Sequence, residues 1–166
     1  MAPVSPITVL GLGNILLGDE GFGVHFVRWF SARHRFPDSV RVLDGGTLGY
    51  GLLDTVCRCS HLIVVDVIKA DDVPGAVYRF TGSDMARQFP SAGSAHEIAF
   101  ADVLRMAELL GQAPEVVFLC VVPACCDWMC QELTPQVQAR FADIEQLLLA
   151  ELAALGVTPE SGAGYA

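Results

Sequence analysis

The run His61-Leu62-Ile63-Val64-Val65-Asp66 decides the fold of this chain. Its four central residues are all apolar and mostly β-branched, without the polar alternation of a strand that has one face in water. A strand of this kind is covered on both faces, which predicts a mostly parallel sheet between two layers of helices. Asp66 then stands at the carboxyl end of a central strand.

Shorter apolar runs on either side of this strand alternate with helical patterns. The run that begins at Ala76 follows the central strand too closely for a helical crossover, so we expect it to be an antiparallel edge strand. These patterns predict a three-layer α/β/α sandwich with a mostly parallel sheet of about five strands and one antiparallel edge strand. The predicted strands are 7–10, 40–43, 61–66, 76–80 and 116–122, and the predicted helices are 20–34, 48–55, one between the Ser94-x-x-Glu97 capping box and Gly111, and a last helix from Pro135.

The length and composition indicate a single globular domain. The 166 residues are 52% hydrophobic and 17% charged, which favours one large core and excludes disorder for most of the chain. We expect residues 1–157 to form that domain and residues 158–166 to be a flexible tail. The stretch 83–95, rich in small residues, is predicted to be a mobile loop.

The charge balance and the absence of targeting signals disfavour several partners and locations. Nineteen Asp and Glu residues outnumber ten Lys and Arg residues, and the net charge of −9 would repel nucleic acid and anionic membranes. No apolar run reaches the ~20 residues of a spanning helix, and the N-terminus lacks the pattern of a signal peptide. We therefore expect a cytoplasmic protein without membrane insertion, whose six cysteines are reduced.

The glycine loop after the first strand does not complete the common nucleotide-binding templates. In Gly11-Leu12-Gly13-Asn14-Ile15-Leu16, Leu16 replaces the third glycine of a dinucleotide fingerprint, and no Gly-Lys-Ser/Thr follows to make a P-loop. Catalytic templates fail as well, because there is no Gly-x-Ser-x-Gly elbow and His96-Glu97 is followed by Phe100 where a zinc peptidase has its second histidine. Dinucleotide binding stays as a minor alternative.

Three residues with metal-binding side chains are predicted to meet at one edge of the sheet. Glu20 follows the glycine loop, Asp66 ends the central strand and His96 lies in the first turn of a capped helix. Loops at the carboxyl ends of parallel strands converge on one crevice, so Glu20 and Asp66 share an edge, and His96 joins them if its loop folds back. Two carboxylates and an imidazole suit a divalent ion with an open position. The alternative is that these residues only cap helix and strand ends.

Two stretches carry the specific part of a family resemblance. They are Gly11-Leu12-Gly13-Asn14-Ile15-Leu16-Leu17-Gly18-Asp19-Glu20-Gly21-Phe22-Gly23 and the turn Asp44-Gly45-Gly46-Thr47. With them the sequence resembles the hydrogenase maturation endopeptidases, which remove a C-terminal peptide from the large subunit of nickel-containing hydrogenases. Weaker matches at Leu62–Asp66, His96, Ala101–Leu104 and Leu133–Pro135 extend the resemblance over nearly the whole chain.

The resemblance implies a metal-dependent endopeptidase of α/β/α fold. Glu20, Asp66 and His96 become both metal ligands and catalytic residues, and the ion is nickel already placed in the precursor. Zinc or cadmium could occupy the same site in vitro. Two mechanisms are compatible with this set: the ion activates water and polarises the scissile carbonyl, or it fixes the register of the substrate while Glu20 or Asp66 acts as a base.

The resemblance also points to a substrate-binding turn. Asp44, Gly45, Gly46 and Thr47 would supply backbone N–H groups near the cleft, and Asp44 would orient the precursor tail. The alternative is that the two glycines serve only the geometry of the turn. We expect a monomer whose partner is the large-subunit precursor.

The cysteines depart from the family resemblance. The six residues are Cys57, Cys59, Cys120, Cys125, Cys126 and Cys130. Their spacing lacks the paired C-x-x-C of a structural zinc site, so we interpret them as small hydrophobic side chains or exposed thiols. A cysteine protease that uses one of them with His61 or His96 is the alternative, and activity that survives alkylation would exclude it.

Two other functions compete with the endopeptidase. One is an assembly chaperone that senses nickel and docks on the precursor without cleaving it. The other is a hydrolase like peptidyl-tRNA hydrolase, suggested by Gly11-Leu12-Gly13-Asn14, but the acidic charge and Ile15, where that family has proline, disfavour it.

Overall fold

The computed structural model describes residues 6–84, 95–127 and 132–162. Its centre is a five-stranded sheet in the order β3-β1-β4-β6-β5, in which the first four strands are parallel and β5 is antiparallel at the edge. This confirms the predicted fold class. The strands are β1 (Ile7–Leu12), β2 (His34–Arg35), β3 (Val40–Gly46), β4 (His61–Val67), β5 (Val77–Thr81), β6 (Glu115–Val121) and β7 (Glu160–Ser161).

Helices cover both faces of the sheet, because the central strand is apolar on both sides. Ile63 and Val65 of β4 belong to one core cluster, whereas Leu62 and Val64 belong to the other. The first cluster includes the aromatic side chains of α1 and the apolar stripe of α5, and the second includes buried side chains of α2 and α3. The helices are α1 (Phe22–Arg33), α2 (Leu53–Cys57), α3 (Ala95–Leu109), α4 (Pro135–Gln138) and α5 (Phe141–Ala154), and two 3-10 turns are η1 (Gly18–Gly21) and η2 (Gly49–Leu52).

The last helical segment differs from the single helix predicted from Pro135. The chain forms two helices, α4 and α5, with a tight turn between them. The Arg140 N–H donates to the Val137 carbonyl at 3.0 Å, an i→i−3 bond that narrows the turn and interrupts the regular helical ladder. Val137 and Ile144 are nevertheless both fully buried, so the predicted apolar stripe packs on the sheet from two helices.

The segment predicted to be a flexible tail contains a strand. β7 pairs antiparallel with β2, and the Gly162 N–H donates to the Arg33 carbonyl at 2.8 Å. The pairing satisfies backbone groups just beyond the end of α1, where the helix leaves carbonyls without partners of their own. The structure thus gives 160–162 backbone partners that the sequence did not predict. The flexibility of the tail stays a prediction, since 163–166 lie outside the described residues, as do 85–94 of the predicted mobile loop.

None of the helices in the described part of the chain is both long and apolar enough to cross a membrane.

Candidate active site

Four connections leave the same edge of the sheet. They follow the parallel strands β1, β3, β4 and β6, whose carboxyl ends all point in one direction. In a sheet of this kind the crevice outside those ends is the usual place for a ligand.

Glycines in the connection from β1 to α1 (13–21, the first connection) and at the start of α1 hold the Glu20 backbone against the sheet. Gly13 has a φ of +131°, and a Cβ on it would lie 1.8 Å from the Glu20 carbonyl oxygen. A Cβ on Gly23 would lie 2.1 Å from the Val65 carbonyl oxygen, so the start of α1 touches β4 directly. Only residues without a side chain permit these two approaches. Glu20 is 9% exposed, and the 3-10 turn that carries it packs against β4.

Asp66 lies near the carboxyl end of β4 and directly follows Val65, whose carbonyl oxygen Gly23 approaches. It is 4% exposed, and its Oδ1 accepts the Val67 N–H at 2.7 Å. By strand alternation Asp66 follows Leu62 and Val64, which face the layer of α2 and α3. The structure therefore brings two buried carboxylates, those of Glu20 and Asp66, to neighbouring segments of one edge.

Helix α3 brings the His96 backbone to the same edge. A Cβ on Gly49 would meet the Ala99 Cβ at 3.5 Å, and the Tyr50 hydroxyl donates to Asp102 at 3.2 Å. The first half of α3 thus packs against η2, which directly follows the turn after β3. His96 is the second residue of α3. Its side chain lies outside the description, as does Ser94, the predicted cap.

The turn 44–47 is exposed beside this edge. Arg28 of α1 donates from Nε (3.0 Å) and Nη2 (2.7 Å) to the Asp44 Oδ2. The Gly46 carbonyl accepts the Gly13 N–H at 3.1 Å, and Gly46 has a φ of +46°. Asp44 and Thr47 are exposed, whereas Gly45 packs under Leu10 and Leu12. The turn is thus anchored to both the first connection and α1, with two polar side chains open to solvent.

Asp19 belongs to the glycine-loop motif and was not predicted to have a role of its own, but the structure shows a hydrogen-bond network around it. Asp19 has no exposed surface, and its carboxylate accepts hydrogen bonds from Ala124, Cys125 and Thr134. The donors lie more than 100 residues away in sequence, so no local pattern marks them. An acidic residue beside Glu20 in the glycine loop was the only available signal.

The thiol of Cys126 lies near the carboxylates of the first connection. Burial, and then the negative charges of Glu20 and Asp19, raise the pKa of Cys126 to about 11, with Lys69 opposing them. A thiol with this pKa is protonated at neutral pH and is a poor nucleophile. The cysteine-protease alternative therefore finds no support at this residue.

The other described cysteines form no disulfides with one another. Cys59 and Cys120 are buried in the second core cluster, and Cys57 and Cys125 are half-buried. Burial raises the pKa of the Cys59 thiol. Cys130 lies outside the described residues.

The donor chemistry of the edge suits a divalent ion. Buried carboxylates are costly unless they are paired or bind a cation, and Glu20 and Asp66 offer oxygen ligands from adjacent segments. Among the side chains that the structure describes, no three His, Cys, Asp or Glu groups come close enough to hold a metal. The two carboxylates would need one further ligand, and the predicted one is His96.

Comparison with known proteins reveals close relatives over almost the whole chain. The profile of the family described as hydrogenase maturation protease (HycI) matches residues 24–151. The hydrogenase 2 maturation protease of Escherichia coli K12 is 35% identical over 153 residues, or 91% of this chain and 93% of that protein. The hydrogenase expression/formation protein HupM of Azotobacter chroococcum is 38% identical over 161 residues, or 94% of this chain and 77% of that protein.

Solved structures show the same similarity. The hydrogenase maturating endopeptidase HybD from E. coli matches with a TM-score of 0.88 at 34% identity, covering 93% of this chain and 96% of that chain. The [NiFe] hydrogenase maturation protease HybD from Thermococcus kodakarensis matches with a TM-score of 0.72 at 25% identity, covering 89% of this chain and 98% of that chain.

Proposed function

Because the chain belongs to the hydrogenase maturation protease family, we propose that it is an endopeptidase that removes the C-terminal extension of a nickel-containing hydrogenase large-subunit precursor after nickel insertion. The observation that supports this proposal is that two buried carboxylates, Glu20 and Asp66, lie at the carboxyl edge of the sheet. The helix that bears His96 packs through Ala99 and Asp102 on η2, the 3-10 turn that follows β3.

Nickel in this proposal is part of the substrate. Glu20 and Asp66 would hold it through carboxylate oxygens and His96 through an imidazole nitrogen. An ion bound in this way would polarise the scissile carbonyl and favour deprotonation of a nearby water. In the alternative mechanism the ion would fix the register of the substrate, and Glu20 or Asp66 would accept a proton from the attacking water. Zinc or cadmium would fill the same set of ligands when the precursor is absent.

The turn after β3 is proposed to position the precursor tail. Asp44 and Thr47 face solvent beside the crevice, and the ion pair with Arg28 limits the orientations open to the Asp44 carboxylate. Backbone N–H groups of the turn can bond an extended peptide that runs along this edge. The turn thus determines which way the tail lies relative to Glu20 and Asp66.

Specificity in this proposal comes mainly from the substrate. The described residues form one sheet between two helical layers, and we propose that the nickel and the fold of the precursor supply much of the specificity. The precursor is then the partner of a monomeric enzyme acting in the cytoplasm. The net charge of −9 is consistent with a protein partner and disfavours nucleic acid.

Cleavage of the precursor tests the proposal. Nickel-loaded and nickel-free precursors are incubated with the protein and weighed by mass spectrometry, and only the loaded one should lose its C-terminal peptide. Glu20→Gln, Asp66→Asn and His96→Ala should each slow cleavage at least about 100-fold, because each removes a ligand or a base. Glu108→Gln on the exposed side of α3 and His61→Ala at the opposite edge of the sheet are the matched controls.

The same experiment separates the endopeptidase from a chaperone. A stable complex between the protein and the loaded precursor, with no change in mass at any enzyme concentration, would favour the non-cleaving assembly factor. Folded Glu20 and His96 variants that cleave at the rate of the unmodified protein would overturn the site instead. Loss of nickel dependence with cleavage retained would show that the ion is not what the site recognises.

A further inference from the structure

We propose that Asp19 is a positioning residue that couples Glu20 to the segment following β6. This inference rests on the proposed function, since it concerns the placement of a residue of that site. It adds a role for a carboxylate that neither the metal set nor the substrate-binding turn uses.

The Asp19 carboxylate is saturated with donors from a distant part of the chain. Its Oδ1 accepts the Thr134 N–H at 2.7 Å. Its Oδ2 accepts the Ala124 N–H at 2.9 Å, the Cys125 N–H at 3.0 Å and the Thr134 hydroxyl at 2.9 Å. The side chain has no exposed surface, so water does not compete for these bonds. One carboxylate therefore ties together the first connection, the segment after β6 and the start of α4.

The main chain of Asp19 makes the same link. Its N–H donates to the Cys125 carbonyl at 2.8 Å, so both the side chain and the backbone of Asp19 are hydrogen-bonded to the segment after β6. Glu20 is the next residue, and its N–H donates to the Leu17 carbonyl at 3.2 Å while its own carbonyl lies against Gly13. A shift of Asp19 therefore moves Glu20, because the two residues are joined by one peptide bond and the Glu20 carbonyl has no room to move toward Gly13.

A carboxylate is the group that suits this position. All four contacts are N–H or O–H donors, and a carboxylate can accept every one of them. An amide would offer one accepting oxygen and would turn an N–H₂ group toward at least one N–H donor. Asp19→Asn keeps the shape of the side chain but cannot keep all four bonds, so the first connection and the segment after β6 would separate locally.

The first part of the test compares Asp19→Asn with two changes at the partner residue. Thr134→Val removes only the hydroxyl bond, whereas Thr134→Ser keeps it. Cleavage of nickel-loaded precursor is measured below the unfolding temperature of every variant. We expect kcat of Asp19→Asn to fall about 100-fold with KM within about threefold, because a misplacement of about 1 Å costs that much in rate. The kcat of Thr134→Val should fall about fivefold, the equivalent of one hydrogen bond, and that of Thr134→Ser almost not at all.

The second part does not depend on cleavage. Hydrogen exchange of the Ala124, Cys125 and Thr134 amides is followed in the free proteins, and cadmium binding is measured by calorimetry. Asp19→Asn should lose protection at these amides and bind cadmium at least about tenfold more weakly, with Thr134→Ser resembling the unmodified protein. If the unmodified protein fails to cleave any precursor, the proposed function is wrong. Hydrogen exchange and cadmium binding then still decide the role of Asp19.

Several outcomes would overturn the inference. A folded Asp19→Asn protein with unchanged kcat and cadmium affinity shows that the network serves stability alone. The same conclusion follows if activity falls only in proportion to the unfolded fraction. Should Asp19→Asn fail to fold, equal kcat and equal cadmium affinity for Thr134→Val and Thr134→Ser would count against the proposal.

Discussion

Three carboxylates at the carboxyl edge of the sheet differ in what surrounds them. Asp19 is fully enclosed by donors from the segments after β6 and at α4. Glu20 and Asp66 are also nearly buried, and the Asp66 Oδ1 accepts the Val67 N–H. Four donors fix the orientation of the Asp19 carboxylate, which favours structural rigidity, whereas the role proposed for Glu20 and Asp66 is to bind a cation. We therefore expect similar residue types at this edge to have different roles.

The Cys126 thiol should react slowly with alkylating reagents. Its pKa of about 11 leaves about one thiol in a thousand ionised at pH 8, about 100-fold fewer than a thiol with the ordinary value of 9.0. We expect iodoacetamide to label this residue about 100-fold more slowly in the folded, metal-free protein than in the urea-unfolded chain. Mass spectrometry of the peptide containing Cys126 gives both rates. Equal rates would contradict the burial of the thiol beside Glu20 and Asp19.

His25 should make the protein less stable in mild acid. Burial, and then the positive charge of Arg28, lower the pKa of His25 below 6.5, although Asp44 opposes them, and its Nε2 is buried with no hydrogen-bond partner among the described residues. The folded chain then binds fewer protons than the unfolded chain near this pH, so stability is lost as the pH falls through about 6.5 toward the folded value.

Replacing His25 should remove that acid sensitivity. We expect the free energy of unfolding of His25→Leu to decrease less between pH 7.5 and pH 5.5 than that of the unmodified protein. Urea titrations at both values provide the measurement, and Ser31→Ala, an exposed change on the same helix, is the control. An equal decrease in both proteins would show that other groups cause the acid sensitivity.

At the scale of elements, the placement of α1 depends on the absence of one side chain. A Cβ on Gly23 would lie 2.4 Å from the Leu12 carbonyl oxygen and 2.1 Å from the Val65 carbonyl oxygen of β4. Helix α1 could not keep its position with such a side chain. We expect Gly23→Ala to lower the free energy of unfolding by about 3 kcal/mol. Urea unfolding followed by circular dichroism measures the change.

Gly51→Ala is the matched control for that substitution. A Cβ there would meet the Leu48 Cβ at an ordinary 3.7 Å, so the change should stay within about 1 kcal/mol. A Gly23→Ala protein as stable as the control would mean that α1 can move away from the sheet without loss. The position of Glu20 would then depend less on α1 than the structure implies.

The interruption between α4 and α5 shows how far an apolar stripe predicts an element. The buried positions Val137 and Ile144 were visible in the sequence because helical spacing is a local property. The turn between the two helices was not, since it depends on how each one meets the sheet. Helix existence was therefore predictable here, and helix continuity was not.

For the whole molecule, the C-terminal strand is expected to contribute to stability and not to cleavage. Ending the chain after Val157 removes the β2–β7 pairing and the bond from Gly162 to Arg33. We expect a loss of about 1–3 kcal/mol in the free energy of unfolding, because each backbone hydrogen bond contributes about 1 kcal/mol. Ending the chain after Gly162 leaves the pairing intact and is the control. A truncated protein of unchanged stability would show that this small sheet adds nothing to the fold.

The family and the fold class follow from local patterns in the sequence. The apolar run of β4, the glycine loop and the turn after β3 each lie within a short segment, and the rule for parallel sheets places Glu20 and Asp66 at one edge without further information. The comparisons and the sheet confirm the family and the fold class. The metal-binding role of Glu20, Asp66 and His96 stays a prediction.

The sequence by itself determined which segments become the strands of the five-stranded sheet and which edge bears the acidic residues, because burial periodicity and strand polarity are local properties. Only the tertiary structure decided that Asp19 binds Ala124, Cys125 and Thr134, and that β7 pairs with β2. Both contacts join residues more than 100 positions apart. Their formation depends on how helices and loops pack around the finished sheet, and no short pattern in the chain records that.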